Sequence, residues 1–235
     1  MGEIRLEEAG YGVAGREILQ LLTLALGERR IGIVGRNGSG KSTLARLLAG
    51  LIAPTQGAVT VAGDDLFADR KAALARVGIL FQNPDHQIIF PTCGEEVSFG
   101  LAQQGRREAE AAARAALEGF GKGHWWARPV GSLSGGQRHL LCLISVLAME
   151  PEWLILDEPF AGLDIPTTRA LHRRLDAIAQ RVVMISHDPA ALEGFDRVIW
   201  LERGAVEADG PASVVLARFR AAMEGAGDDL TDLAG

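Results

Sequence analysis

Short apolar runs alternate along this chain with longer stretches whose apolar residues recur at helical spacing. The run 31–34 ends in glycine and reads as a buried strand. A helix over 42–51 follows, closed by Pro54 and Gly57. Further strands are predicted at 58–62 and 77–81. From about 95 to 150 the pattern turns helical, with an Ala-rich amphipathic stretch at 107–121 and a helix at 137–149. Strands return at 153–156 and 182–185, and 198–201, the turn Arg203-Gly204 and 205–208 form a hairpin. Strands alternating with helices predict an α/β fold on a largely parallel sheet, interrupted by a helical insert. No internal repeat is present.

Three of the breaks in this pattern carry chemistry. The segment Gly35-Arg36-Asn37-Gly38-Ser39-Gly40-Lys41-Ser42 fits G-x-x-x-x-G-K-[ST] between a predicted strand and a predicted helix. Its glycines let backbone N–H groups wrap a phosphate, and the helix N-terminus adds partial positive charge. Lys41 would reach the β- and γ-phosphates, and Ser42 would ligate Mg²⁺. The strand 153–156 runs into Asp157-Glu158-Pro159. A carboxylate at the C-terminal end of such a strand points into the crevice where ligands of α/β sheets bind. Asp157 would hold Mg²⁺ through its water shell, and Glu158 would sit beside the attacking water. The third is Leu133-Ser134-Gly135-Gly136-Gln137, which opens the helix 137–149. Read alone it is a helix cap with a flexible loop, but a hydroxyl, two glycine amides and a helix N-terminus also make a second anion cradle. Two cradles in one chain suggest a composite site, each copy covering the other's nucleotide.

Composition narrows the partners. With 24 basic and 30 acidic residues the net charge is −6, the wrong sign for a protein built on nucleic acid backbones. Cys93 and Cys142 lack metal-ligand spacing and read as free thiols. The longest largely apolar run, 140–149, is half of the ~20 residues a transmembrane helix needs. The N-terminus lacks a signal-peptide core. Work at a membrane would need another subunit to hold the chain there.

The order Gly35–Ser42, Gln82, Ser134–Gln137, Asp157-Glu158, Ala161-Gly162-Leu163-Asp164 and His187 resembles the ATP-binding-cassette ATPases over essentially all of residues 1–215. The resemblance implies a P-loop fold with an N-terminal antiparallel β part. It implies a single ATPase domain over 1–222 with a helical subdomain at about 86–150, leaving 223–235 as an acidic, disordered tail. ATP and Mg²⁺ are the implied ligands. Asn37 and Thr43 join the phosphate-binding set, Gln82 would touch the Mg²⁺ or the water, and His187 would contact the γ-phosphate. Asp164 would contact the partner chain. Tyr11, the only tyrosine, lies 24 residues before Gly35, where an adenine-stacking ring is expected, or it simply packs.

The stretches 81–87, Phe90-Pro91-Thr92 and 95–100 resemble the ATPases of energy-coupling-factor importers, which take up vitamins and transition-metal ions. The resemblance implies a dimer, with itself or a related ATPase, on the cytoplasmic face of the membrane. It sits under a transmembrane coupling subunit and a substrate-specific membrane subunit, with no nucleic acid. The short chain, Met149-Glu150-Pro151 and 160–167 look most like the biotin-importer ATPases, with the cobalt/nickel type as the alternative. A soluble ATPase acting on nucleic acid or ribosomes would be expected to show two cassettes or basic extensions. His86 reads as a groove residue, and Trp125-Trp126 as the cover of the insert's end. Ile88, Ile89 and Phe90 are either core or the lining of a groove for a membrane subunit's helix.

Overall fold

The computed structural model describes residues 2–69, 73 and 75–226. They fall into two compact units. One is Leu66–Val182. The other joins Gly2–Asp65 to the chain from Val183 onward.

The second unit opens with β1 (Ile4–Val13) and β2 (Arg16–Leu26), a long antiparallel pair. β1 also pairs antiparallel with β4 (Gln56–Val61), and β4 with the short β5 (Asp64–Asp65). Ile4, Leu6, Leu22, Leu24 and Leu26 alternate inward along this sheet. β3 (Arg30–Val34) is buried at every position, as a parallel strand covered on both faces requires. It lies parallel to β9 (Arg197–Glu202), which hairpins through Arg203-Gly204 into β10 (Ala205–Pro211). Gly32 is glycine because a Cβ there would meet Leu192 Cδ1 at 2.9 Å and Val198 Cγ2 at 3.0 Å.

β3 leads into α1 (Lys41–Leu48), which is shorter than the predicted 42–51. Gly50 at φ 69° turns the chain, with Gly50 N–H donating to Leu47 O and Leu51 N–H to Arg46 O. This αL stop satisfies the last carbonyls before Pro54 is reached. The unit ends in α6 (Ala212–Ala226). Residues 223–226 therefore belong to a helix rather than to the disordered tail expected of them. The rest of that tail lies outside the described residues.

In the first unit β6 (Val77–Leu80) and β7 (Trp153–Asp157) pair in parallel, with Val77 opposite Trp153 and Leu80 opposite Leu156. Between them run α2 (Cys93–Gln103), α3 (Ala109–Gly119) and α4 (Gly135–Ala148), the expected helical insert. Trp125 is buried, and Trp126 packs on Gly94 with Arg114 stacked 3.7 Å from its ring. Both tryptophans thus cover the ends of α2 and α3. α5 (Ile165–Ala177) follows β7, and β8 (Arg181–Ile185) spans the boundary of the two units.

Candidate functional site

The phosphate loop is built by β3 and α1. Gly35 and Gly40 have φ of 156° and 101°. A Cβ on Gly35 would come within 2.1 Å of Leu201 O, so only glycine lets the loop pass β9. The loop is tied down by Ser39 N–H to Arg36 O at 3.2 Å and by Gly204 N–H to Ser39 O at 3.0 Å. Gly40 is the cap residue of α1, and no side chain caps that helix. The helix N-terminus, with its partial positive charge, thus opens directly from the glycine loop. Lys41 Nζ donates to Gly35 O and Arg36 O, each at 2.8 Å, holding its charge over the loop. Arg36, Asn37 and Gly38 are exposed, and Ser42 and Thr43 are partly so.

His187 follows β8 and is exposed. With residues 35–39 it lines a cavity of about 820 Å³. α6 contributes Phe219, Arg220, Met223 and Glu224 to the same cavity, and Arg220 pairs with Glu193. No local pattern signals this wall, because 180 residues separate it from the loop. Tyr11 is half-buried on β1, opposite Leu19, whose side chain packs on Gly40. The strand pair thus brings Tyr11 to the neighbourhood of the phosphate loop.

In the first unit, Asp157 is the last residue of β7. Asp157 and Glu158 are only 6% and 8% exposed. Glu158 has φ 53°, a left-handed conformation that costs a residue with a Cβ about 1 kcal/mol or more unless its surroundings fix it. Ala161 N–H donates to Glu158 O at 3.1 Å and Leu163 N–H to Phe160 O at 3.2 Å, closing the turn. Asp164 then caps α5, accepting from Thr167 N–H at 2.7 Å. Thr167's hydrogen bond holds the Asp164 carboxyl below its ordinary value near 3.8.

The Ser134 turn is a capping box. Gln137 N–H donates to Ser134 Oγ at 3.3 Å, and Ser134 N–H to Gln137 Oε1 at 3.1 Å. Ser134 and Gly135 are exposed. Gly136 is close to the turn after Glu158: a Cβ on it would lie 2.8 Å from Gly162 O.

Gln82 leaves β6 exposed, followed by a tight turn in which Asp85 N–H donates to Asn83 Oδ1 at 2.9 Å. Arg138 of α4 reaches Asp85 at 3.3 Å. Of the two readings of Ile88–Phe90, core or groove lining, the surface one fits Ile89, while Ile88 and Phe90 are half-buried. Ile89 is 71% exposed and Phe90 packs on the half-exposed Phe99 at 4.9 Å. Glu96, buried in α2, accepts from both Ile89 N–H and Phe90 N–H at 2.9 Å and so fixes this apolar loop. That role was not legible in the sequence, since a carboxylate six residues on reads as an ordinary helix surface. His86 is exposed, and the thiols of Cys93 and Cys142 are free and buried. Burial pushes the Cys142 thiol up to about 12, where it stays protonated.

Comparison with known proteins agrees with this geometry. The chain is 54% identical over 226 residues to the biotin transport ATP-binding protein BioM of Rhodobacter capsulatus, covering 95% of this chain and 94% of that one. It is 41% identical over 219 residues to the protein of the same name from Rhizobium etli, covering 92% and 97%. Among solved structures, cbiO1 of Clostridium perfringens, part of the ABC transporter complex cbiONQ, superposes with a TM-score of 0.75. It is 27% identical over 98% of this chain and 96% of that one. Residues 21–161 match the ABC transporter family. A phosphate loop followed by a carboxylate pair recurs in many ATPases, but the Ser134 box between them does not. With that match, the chain belongs to the ABC transporter family, as one of its ATP-hydrolysing subunits.

Proposed function

We propose that this chain is the ATPase of an energy-coupling-factor importer for biotin, held at the cytoplasmic face by a transmembrane coupling subunit beside a substrate-specific one. The observation that carries the reading is the 54% identity, over nearly the full length of both chains, to a biotin transport ATP-binding protein. Among the described residues no helix is long and apolar enough to cross a membrane. The exposed Ile89 and the half-buried Phe90, on the loop fixed by Glu96, together with the exposed Phe99 of α2, suit an apolar helix end of the coupling subunit. A second reading, cobalt or nickel import, is favoured by the likeness to cbiO1.

ABC ATPases work as pairs with membrane subunits. In the reading proposed here, residues 35–43 take the phosphates and Tyr11 stacks on adenine, with Lys41 neutralising the β- and γ-oxygens. Ser42, Gln82 and Asp157 offer a hydroxyl, an amide carbonyl and a carboxylate. This all-oxygen set suits Mg²⁺, and no group of three His, Cys, Asp or Glu able to cage a metal by itself exists among the described residues. When bound, the ion neutralises charge on the transferring phosphoryl group. Glu158 accepts the proton of the attacking water as its oxygen bonds the γ-phosphorus and the bond to the β-phosphate oxygen breaks. His187 holds the γ-phosphate. Ser134–Gln137 close over the partner's nucleotide, with Asp164 at the contact between copies. ATP favours the closed pair and hydrolysis releases it, which is the differential binding that drives the membrane subunits.

The test is recovery of the tagged chain from its native membranes in mild detergent, with mass spectrometry of the co-purifying proteins. It is paired with labelled biotin uptake by cells carrying wild type or Glu158→Gln. The reading expects a small coupling protein and a biotin-binding membrane subunit. It also expects Glu158→Gln to lower kcat about 10³-fold, as loss of a positioned base does, with ATP still bound. A metal-ion-binding subunit in place of the biotin one would establish the second reading. Ribosomal or DNA-bound partners without membrane proteins would overturn both.

A further inference from the structure

The loop 87–92 lies between the turn after β6 and α2, and it is bonded at three points. Where it begins, Gln87 Oε1 accepts from Phe81 N–H at 3.2 Å. Where it ends, Pro91 O accepts from Val130 N–H at 2.8 Å, and Thr92 forms a β-bridge with Pro129. Between these anchors a single oxygen of Glu96, Oε2, accepts from both Ile89 N–H and Phe90 N–H at 2.9 Å. The neighbouring Glu95 has a local task instead, closing the capping box of α2 with Thr92.

The middle clasp is the one that stability does not call for. Amides of a surface loop can bond to water, whereas a carboxylate only 8% exposed has given up much of its hydration. What the clasp supplies is shape. Among the described residues Ile89, 71% exposed, is the most exposed large apolar side chain, and Phe90 packs at 4.9 Å on Phe99, itself 38% exposed. Glu96 thus holds an isoleucine in water beside two phenylalanine rings, which does nothing for this chain alone. An apolar patch held in one shape suits a partner, because the loop is ordered before the partner arrives. The far anchor leads onward: four residues after Val130 stands Ser134, the cap of α4. A partner seated on the loop therefore bears on the segment that presents the Ser134 turn.

We infer that Glu96 is a positioning residue for coupling, which presets the 89–90 loop as the seat for the apolar helix end of the membrane partner. The inference rests on the proposed importer role, and the experiment separates the two. Glu96→Leu keeps most of the volume and removes the acceptor. Glu96→Gln removes the charge but keeps a carbonyl oxygen, which can accept both N–H groups as Oε2 does. Each is made in the full tagged chain, with Glu96→Ala as the second variant if leucine does not fold. Three quantities are read: the membrane protein that co-purifies from native membranes in mild detergent, ATP hydrolysis by the chain free of membranes, and hydrogen exchange at the amides of Ile89 and Phe90.

For Glu96→Leu the expected result is faster exchange at those two amides and about tenfold less co-purifying membrane protein, the effect of binding a loop that must first be ordered. Hydrolysis by the free chain stays close to wild type, and Glu96→Gln keeps most of the recovery. A merely structural carboxylate would lower the melting temperature and the free chain's hydrolysis in step with the recovery. Wild-type recovery in Glu96→Leu, or a loss in step with those two readouts, overturns the inference, while membrane proteins recovered with the wild-type chain leave the proposed function standing. Equal losses in Glu96→Gln and Glu96→Leu would assign the effect to charge rather than to the clasp and overturn the inference as well. A wild-type chain that recovers no membrane protein overturns both.

Discussion

Two glycine-rich turns open helices in this molecule, and they are built on opposite principles. At the phosphate loop the glycines serve the backbone itself. Gly40 takes φ 101° and Gly35 passes 2.1 Å from Leu201 O, measured from a virtual Cβ. The helix behind it has no side-chain cap, and a lysine stands over the opening. At the Ser134 turn, φ is not positive at either glycine and the cap is closed by Ser134 and Gln137. The first turn has no side-chain cap, which suits the phosphate site proposed for it. The second has met part of its own needs, so an anion there must come with a surface of its own. That asymmetry suits the proposed site, in which a nucleotide is held by one copy and covered by another.

The sharpest break of this contrast is Lys41→Ala. Loss of a charge-assisted contact to phosphate costs about 2–3 kcal/mol, on the order of 100-fold in ATP affinity. Calorimetric titration of the chain with ATP should show it, while circular dichroism stays unchanged. If affinity holds, the lysine belongs to the carbonyls of Gly35 and Arg36 alone and the first turn is no more a phosphate site than the second.

The same contrast marks what the sequence could and could not disclose. The phosphate loop, the Ser134 box and the end of β7 were legible because each is a local pattern whose chemistry needs fixed spacing. α5 and α6 carry no clear helical signal in the sequence, since Arg, Thr and Ala there weaken the apolar period. β1 and β2 were expected only through the resemblance, because left-handed residues at Glu8 and Ala14 and repeated shifts of register interrupt the alternation. The cavity wall of Phe219 and Met223, the clasp of Glu96 on the 89–90 amides and the burial of His139 all depend on tertiary approach. A single histidine on an apolar helix face carries no signal of what it meets.

Gly135 and Gly136 allow the second turn to be divided. A Cβ on Gly135 would meet nothing within 4 Å, whereas one on Gly136 would strike Gly162 O at 2.8 Å. Gly136→Ala should therefore destabilise by about 1–3 kcal/mol through overpacking, lowering Tm by roughly 5 °C. Gly135→Ala should leave Tm within about 1 °C, as at unstrained surface positions. Yet its methyl stands where the partner's phosphate is proposed to sit, and kcat should fall at least tenfold, since small displacements of reacting groups cost up to about 100-fold. Thermal melts beside steady-state hydrolysis measure both. Normal turnover in Gly135→Ala would remove the second cradle and leave a capped helix.

The smallest effect concerns the helix caps that separate the two regions. α2, α4 and α5 are closed by Thr92, Ser134 and Asp164, while α1 is open at Gly40. Asp164 is the ionisable one. Because Thr167 lowers its folded pKa, the cap adds stability above the ordinary value near 3.8 and loses it as pH falls through the lower, folded value. Asp164→Asn keeps an oxygen for the Thr167 amide but no charge. Its melting temperature should sit slightly below wild type at neutral pH, and the gap should close as the solution is acidified below pH 4. A gap that stays constant with pH would make the cap a neutral hydrogen bond. A mutant that melts like wild type throughout but loses turnover would move Asp164 from capping its own helix to the contact between copies, where the Ser134 turn is proposed to act.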